Sequence, residues 1–292
     1  MNPLAGRGGA GSNIAAVRAA FAYHNILAEA IKAASATDFV EQVRNAKAQG
    51  CRTMVAVGGD GTLQLLANEV AGSGVLVGVI PAGSGNDFAA ALGIPKNIEK
   101  AVAVIAKGNT REVDLACARF ATGEQRLYLG GGGTGLDAEA ARLASGHFRM
   151  WPGRIRYLAS AIAALRGFRG VEVQVEFPAG ESARINKNVL LAVVLNTPTF
   201  GGGLRLAPEA RIDDGRVDLV LVEMLSKFDV LTLLPRLLIS GELKTQKIWH
   251  VKASGVKLSA ADEPWFQGDG ELLGHAPVEV TAWPGALRIF AP

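Results

Sequence analysis

The stretch "MVAVGGDGTLQ", residues 54–64, decides the fold. Met54–Val57 is a short apolar run, Gly58–Thr62 is a glycine turn, and "LQLLANEVA" continues as a helical pattern. A second run and turn, "VLVGVIPAGSGND" (75–87), follows, and then a helix, "IEKAVAVIAKG", closed by Gly108. Continuous apolar strands separated by helices signify a parallel sheet covered on both faces. In such a sheet both turns lie at the carboxyl edge, where these folds bind ligands. Gly58, Gly59, Gly61, Gly83 and Gly85 let backbone N–H groups close on an anion as a nest. Thr62 and Ser84 add hydroxyls, and Asn86 and Asp87 border the pocket. The plainer alternative is a pair of ordinary strand-end turns.

Asp60 is out of character in a phosphate loop. Phosphates repel a carboxylate unless a cation intervenes or the acid serves as a base. Mg²⁺ keeps several waters and touches one or two carboxylates plus phosphates. Asp60 therefore either holds a hydrated metal or positions an acceptor hydroxyl.

Working outward, residues 12–33 are alanine-rich and helical in pattern, and residues 38–49 place Phe39 and Val43 on one helical face before Gly50. After about Asp114 the texture changes. "RLYLGG", "VEVQVEF", "NVLLAVVLN", "RVDLVLVEM", "VKLSA", "PVEVTAW" and "ALRIF" are strand-like, several with clean alternation. The expected architecture is an α/β domain over 1–113, Rossmann-like with three layers, and a mainly antiparallel β-sandwich over 114–292. One helix interrupts the second domain, with Ser226 and Asp229 as a capping box ahead of "VLTLLPRLLIS". "NPLAG" near residue 1 is a strand-end turn with only Met1 before it, so its strand is absent or lies upstream.

Composition narrows the class. The chain has 292 residues, 49% of them apolar, which is enough for a real core. A formal charge of +3 makes no case for nucleic acid. Two distant cysteines, Cys51 and Cys117, form neither a disulfide framework nor a metal pattern, and suit a reducing cytoplasm. The four histidines show no metal spacing. The longest apolar region is broken by Glu223, Lys227, Asp229 and Arg236, and no secretory signal opens the chain, so membrane contact is expected to be peripheral.

Two other clusters, "GRGGAG" (6–11) and "GGGGTG" (130–135), fit the spacing GxGxxG. A dinucleotide site also needs a strand before the loop, a helix after it and an acid about twenty residues on. The first cluster lacks the strand and the second lacks the acid, while no G-K-[ST] of a P-loop occurs anywhere.

"NPLAG", "VAVGGDGT", "IPAGSGNDFA", "GLDAE", "FGGGLRLAPEARIDDGRVDL" and "GDGE" occur in an order that resembles the diacylglycerol kinase catalytic-domain family. That family includes diacylglycerol, sphingosine and ceramide kinases and bacterial lipid kinases. The likeness runs over almost the whole chain. GGDGT alone is shared with NAD kinases and phosphofructokinases, whereas the ordered set is far more specific. The resemblance implies an ATP-dependent lipid kinase acting with Mg²⁺ on a diacylglycerol-like or sphingoid hydroxyl. Nucleotide contacts are implied at Asn2, Gly58, Gly59, Asp60, Gly61, Thr62, Gly83, Ser84 and Asn86. Asp269 and Glu271 fall on the family's "DGE", where the proton acceptor is placed; which of them is the base stays open. Two close carboxylates push one pKa upward, which suits a base near neutrality. Asp213 and Asp214 fall on a "DDG" turn that resembles a structural magnesium site, a plain turn being the alternative. Asp60 and Asp87 are the candidates to meet the ATP-bound metal through water. The family architecture also implies that residues near 283–292 return to the first domain. Departures stand at Ala5, Gln64, Leu65 and Gly130, and they bear on activity more than on fold.

Residues 147–170 carry Arg149, Arg154, Arg156, Arg166 and Arg169 with Phe148, Trp151, Tyr157 and Phe168 and no acid. Arginine with interfacial aromatics suits an anionic membrane surface, and Arg149, Trp151, Arg154 and Arg156 are the candidate contacts. A solvated helix face, or a grip on ATP phosphates, is the competing reading. The expected setting is the inner face of the cytoplasmic membrane, with a homodimer left open. Two alternatives to a lipid kinase remain: an NAD-kinase-like phosphotransferase on a soluble acceptor, and a nucleotide-binding homologue with little or no activity.

Overall fold

A computed structural model describes residues 10–83, 85–146, 153–179, 181–226, 229 and 246–292. The chain divides into two compact units, Met1–Val113 with Gly285–Pro292, and Asp114–Pro284.

The first unit runs α1 (Ala10–Tyr23), α2 (Ala36–Ala48), β1 (Thr53–Gly58), α3 (Asp60–Val70), β2 (Leu76–Pro81), α4 (Asp87–Ala91) and α5 (Ile98–Lys107). β1 and β2 pair in parallel from Thr53↔Leu76 to Gly58↔Pro81. The chain's last strand joins β2 on its other side, with Arg288↔Leu76 and Ile289↔Val77, again in parallel. α3 packs on β1 and α5 on β2, with α2 against α3 and α1 against α5. Val77, Ile80, Phe88, Ala101, Val102 and Ile289 are fully buried there. Each large apolar side chain among them contributes roughly 1.5–3 kcal/mol by leaving water.

The helical pattern expected over 12–33 stops earlier, at Tyr23. Asn25 takes φ +56°, Asn25 N–H donates to Ala22 O and Ile26 N–H to Phe21 O. This pair of bonds satisfies the last carbonyls of α1 and ends it, with asparagine in the left-handed position glycine usually holds. By contrast α2 starts where a cap is available, Ser35 accepting from Asp38 N.

The second unit is built on antiparallel strands: β3 (Thr110–Phe120, entering from the first unit), β4 (Gln125–Tyr128), β5 (Gly131–Gly135), β6 (Val171–Glu176), β7 (Ile185–Leu195), β8 (Val217–Glu223), β9 (Ile248–Ala253), β10 (Gly255–Ala260), β11 (Trp265–Gly268), β12 (Glu271–His275) and β13 (Val278–Phe290, leaving to the first unit). Two helices, α6 (Leu136–Ser145) and α7 (Gly153–Leu165), pack on each other. The pairing order is β10-β6-β7-β5-β11-β12, and β8 links β7 to β9. "VLLAVVL" (189–195) and "LVLV" (219–222) are unbroken apolar runs because β7 and β8 are buried on both faces. Val189, Ala192, Val194, Leu219 and Leu221 enter one core, and Leu190, Val193, Leu195, Val220 and Val222 enter another.

"GGGGTG" is a strand rather than a loop. β5 pairs β7 through Gly133↔Val193 and β11 through Gly132↔Gly268. A Cβ on Gly132 would stand 2.8 Å from Gln267 O, and one on Gly133 would stand 2.6 Å from Ala192 O. Close packing of neighbouring chain explains these glycines without a ligand. Ser226 and Asp229 form the expected reciprocal cap, Asp229 accepting from Ser226 N at 2.8 Å and Ser226 Oγ from Asp229 N at 3.1 Å. The segment after that cap, expected as a helix, lies outside the described residues.

Candidate active site

In the first unit, β1 ends at Gly58 and α3 begins two residues later with Gly59 as its N-cap. The second turn follows β2 and leads into α4. The two turns touch. A Cβ on Gly59 would lie 2.8 Å from Gly85 O, and one on Gly83 would lie 2.6 Å from Gly59 N. Asn86 ties its turn together, Nδ2 donating to Gly83 O at 2.8 Å and Oδ1 accepting from Gly83 N at 3.4 Å. Thr62 is buried, and so is Gln64, two residues on. Gly61 differs from its neighbours: a Cβ there would meet open space, so packing does not demand this glycine.

Asp60 reaches across to the second turn. Its Oδ2 accepts from Asp87 N at 3.0 Å and its Oδ1 from Phe88 N at 3.3 Å. These are N–H groups at the start of α4, which the helix itself leaves unused, so Asp60 caps a helix 27 residues away in sequence. Burial pushes its carboxyl above the ordinary value and the Asp87 charge adds to this, against the two N–H bonds. A carboxylate belongs in this loop because it joins the two turns.

In the second unit, β11 and β12 meet at Asp269 and Gly270, with Asp269 at φ +51°. Asp269 Oδ2 accepts from Leu129 N at 2.7 Å, and its Oδ1 from Gly130 N at 2.9 Å and Gly131 N at 3.2 Å. Both oxygens are thus spent on the chain at the start of β5. Gly130 is where a Cβ would approach Thr197 Oγ1 at 3.1 Å and Asp269 Oδ1 at 3.3 Å. Asn196 fixes the same turn from below, its Nδ2 donating to Leu129 O and to Asp114 O, both at 2.9 Å. Asp114 in turn accepts from Gly215 N at 2.6 Å. Neither Asp114 nor Asn196 is marked by local pattern; only the fold brings them to this turn.

Glu271 is different. It is exposed at the edge of the turn, and no hydrogen bond engages its carboxyl among the described residues. Protein nevertheless crowds round the carboxyl, and the lost hydration pushes it above the ordinary glutamate value, while the Arg156 guanidinium on α7 opposes that. Asp269 is not the cause, so the expectation of two acids raising one another gives way to simple desolvation.

The "DDG" turn is balanced by cations of the chain itself. Lys252 Nζ lies 2.7 Å from Asp214 Oδ2, Arg216 N donates to Asp214 Oδ1 at 3.1 Å, and Arg211 Nε lies 3.3 Å from Asp213 Oδ1. No group of three or more potential ligand side chains gathers among the described residues. Asp60 and Asp87 likewise form no cage of their own. Asn2, Ser84, Arg149 and Trp151 lie outside the described residues, and of Arg154 only its place in α7 is described. A mostly apolar, half-open cavity of about 520 Å³ lies in the second unit, lined by Ala138, Leu143, Ala164, Phe168 and Trp265, with Glu139 also among its lining residues. No described helix is long and apolar enough to cross a membrane.

The chain matches the sequence model of the YegS C-terminal NAD kinase beta sandwich-like domain over residues 132–291, and that of the diacylglycerol kinase catalytic domain over residues 1–118. The chain belongs to the diacylglycerol kinase and YegS family. As a member of that family it is a kinase. A diacylglycerol kinase of Mycobacterium tuberculosis is 28% identical over 294 residues, covering 100% of this chain and 93% of the relative. A diacylglycerol kinase of Bacillus subtilis is 27% identical, covering 82% of this chain and 77% of the relative. The crystal structure of a diacylglycerol kinase from Bacillus anthracis str. Sterne superposes with a TM-score of 0.74 at 21% identity, covering 100% of this chain and 94% of the other. That likeness carries the fold: an α/β domain with parallel strands and a β-sandwich-like domain.

Proposed function

We propose that this kinase transfers the terminal phosphoryl group of ATP to a lipid hydroxyl, with Glu271 as general base. The observation that carries the reading is the contrast within one turn. Asp269 has both oxygens bound by N–H groups, while Glu271 is raised, unengaged and open to an incoming hydroxyl. A base near neutrality needs a raised pKa and a free oxygen. Glu271 takes the acceptor's proton as the hydroxyl oxygen bonds to the γ-phosphorus and the bond to the β–γ bridging oxygen breaks, releasing ADP. The Arg156 guanidinium favours the ionised form of Glu271, so we assign it to the reaction rather than to a membrane surface.

The first unit's turns receive the nucleotide. Open space at Gly61 leaves the first amides of α3 approachable, as phosphate oxygens require. Magnesium bound to the ATP phosphates would neutralise their charge. The second unit's apolar cavity suits an acyl or alkyl chain, which favours a lipid over a soluble acceptor such as NAD.

Transfer of labelled phosphate from ATP to a total lipid extract, with products identified by mass, tests this reading. We expect one labelled lipid class that depends on Glu271. Label appearing on NAD alone, or ATP bound without transfer, would overturn it.

A further inference from the structure

Gln267 is a buried glutamine, and its two ends point at two different elements. Its Nε2 donates to Asp137 Oδ2 at 2.8 Å, in the first turn of α6, and its Oε1 accepts from Gly270 N at 2.8 Å. Gly270 is the residue before Glu271. We propose that Asp137 is a positioning residue that acts through Gln267 to hold the turn carrying Glu271 in its working geometry.

The orientation of the amide makes the argument. A glutamine side chain can present either end to a neighbour. An ionised carboxylate only accepts, so Asp137 compels Nε2 to face α6, and Oε1 is left facing Gly270 N. Asp269 pins one side of the turn to residues 129–131, and the Asp137–Gln267 pair pins the other. Without the pair, the turn loses one of these two anchors.

Asp137 carries an energetic cost where it stands. Burial raises its carboxyl to about 6, so ionising it at neutral pH works against folding. Its Oδ1 is sealed from solvent and finds no partner of good geometry among the described residues, the nearest donors being the N–H groups of Asp137 and Ala138. Gly135 caps α6 with no side chain, at φ +113°, where a Cβ would lie 2.5 Å from Leu190 O, and the Asp137 carboxyl faces N–H groups of the first turn. A side chain that costs stability, spends one oxygen on a buried amide and leads to the residue beside the base is best explained by what it does for that base.

This inference rests on Glu271 being the base. The experiment uses the full chain with ATP and the lipid class that the wild type labels. Asp137→Ala should lower kcat about tenfold with the KM for ATP within about twofold, as expected when a reacting group is misplaced without loss of binding. Its melting temperature at pH 7.5 should fall by no more than a few degrees, the cost of leaving Gln267 Nε2 unpaired. Asp137→Asn, which still offers an acceptor to Gln267, should recover kcat to within about threefold of the wild type. Gln267→Met should lose about thirtyfold, and adding Asp137→Ala to it should cost nothing more, since the two act as one path. Wild-type kcat in Asp137→Ala would overturn the proposal, as would an Asp137→Ala rate that falls only in step with its melting temperature. The Asp137 variants decide the matter even where Gln267→Met does not fold. A wild type that labels no lipid, or full activity in Glu271→Gln, would instead overturn the underlying reading.

Discussion

The tripeptide Gly-Asp-Gly occurs at 59–61 and again at 268–270, and the chain folds it in two ways. In the first unit it opens α3, and Asp60 reaches the N–H groups of Asp87 and Phe88. In the second unit it turns β11 into β12, with Asp269 at φ +51° and its oxygens on the N–H groups of residues 129–131. The backbone differs, yet each aspartate does the same thing: it collects backbone donors from a distant segment and locks its turn there. What differs is the residue after the tripeptide. Thr62 is buried in α3, whereas Glu271 keeps an unengaged carboxyl. In both glycine turns the aspartate is a brace, and in the proposed mechanism the chemistry falls to the acid that the backbone does not use.

The largest effect that could break this comparison is at Glu271. Glu271→Gln should lower kcat by about 10³-fold, within the range that a general base contributes, with the ATP KM little changed. Steady-state kinetics on the labelled lipid checks this. Asp269→Asn should show its loss first in stability. It trades three charge-assisted acceptor contacts for an amide that can satisfy only part of them, so unfolding free energy should fall by about 2 kcal/mol in urea titration. If Asp269 were the base instead, kcat would vanish while the protein stayed as stable as before.

Asp60→Ala sharpens the other half. Losing a cap between elements should destabilise by about 1 kcal/mol and loosen both turns, weakening ATP binding and turnover together. A normal nucleotide affinity in Asp60→Ala, measured by calorimetry, would show that the turns hold without it. The last effect is electrostatic and shows only as a slope with pH. Asp137 is raised from 3.8 to about 6, so the folded state binds its proton more tightly than the unfolded chain does. Its contribution to stability is full below about pH 4 and is lost as pH rises through about 6, amounting to no more than ~3 kcal/mol. Asp137→Asn should remove that slope from a series of melting curves.

Much of the fold was legible because it rests on local pattern. Unbroken apolar strands before glycine turns announced the parallel sheet, and alternation after Asp114 announced the antiparallel one. Local pattern failed where distant packing decides. "GGGGTG" has loop composition, but β7 and β11 press on it from both sides and make it a strand. The end of α1 turned on Asn25 in a left-handed conformation that alanine-rich sequence conceals. At the site, the acids were visible and their roles were not. Asp60 is read correctly only with residues 87 and 88, Asp269 only with residues 129–131, and Asp137 only with a glutamine 130 positions away. Gly59 and Gly83, whose sequence setting suggested phosphate contacts, also let the two turns touch, which no local pattern announces.

The most direct test of the account is the pH–rate profile of phosphoryl transfer, compared in wild type, Glu271→Gln and Asp269→Asn. The base must be ionised, so the wild-type rate should rise with pH along an acid limb lying above the ordinary glutamate value. That limb should disappear in Glu271→Gln and persist in Asp269→Asn. A limb that survives in Glu271→Gln and is lost in Asp269→Asn would contradict the assignment.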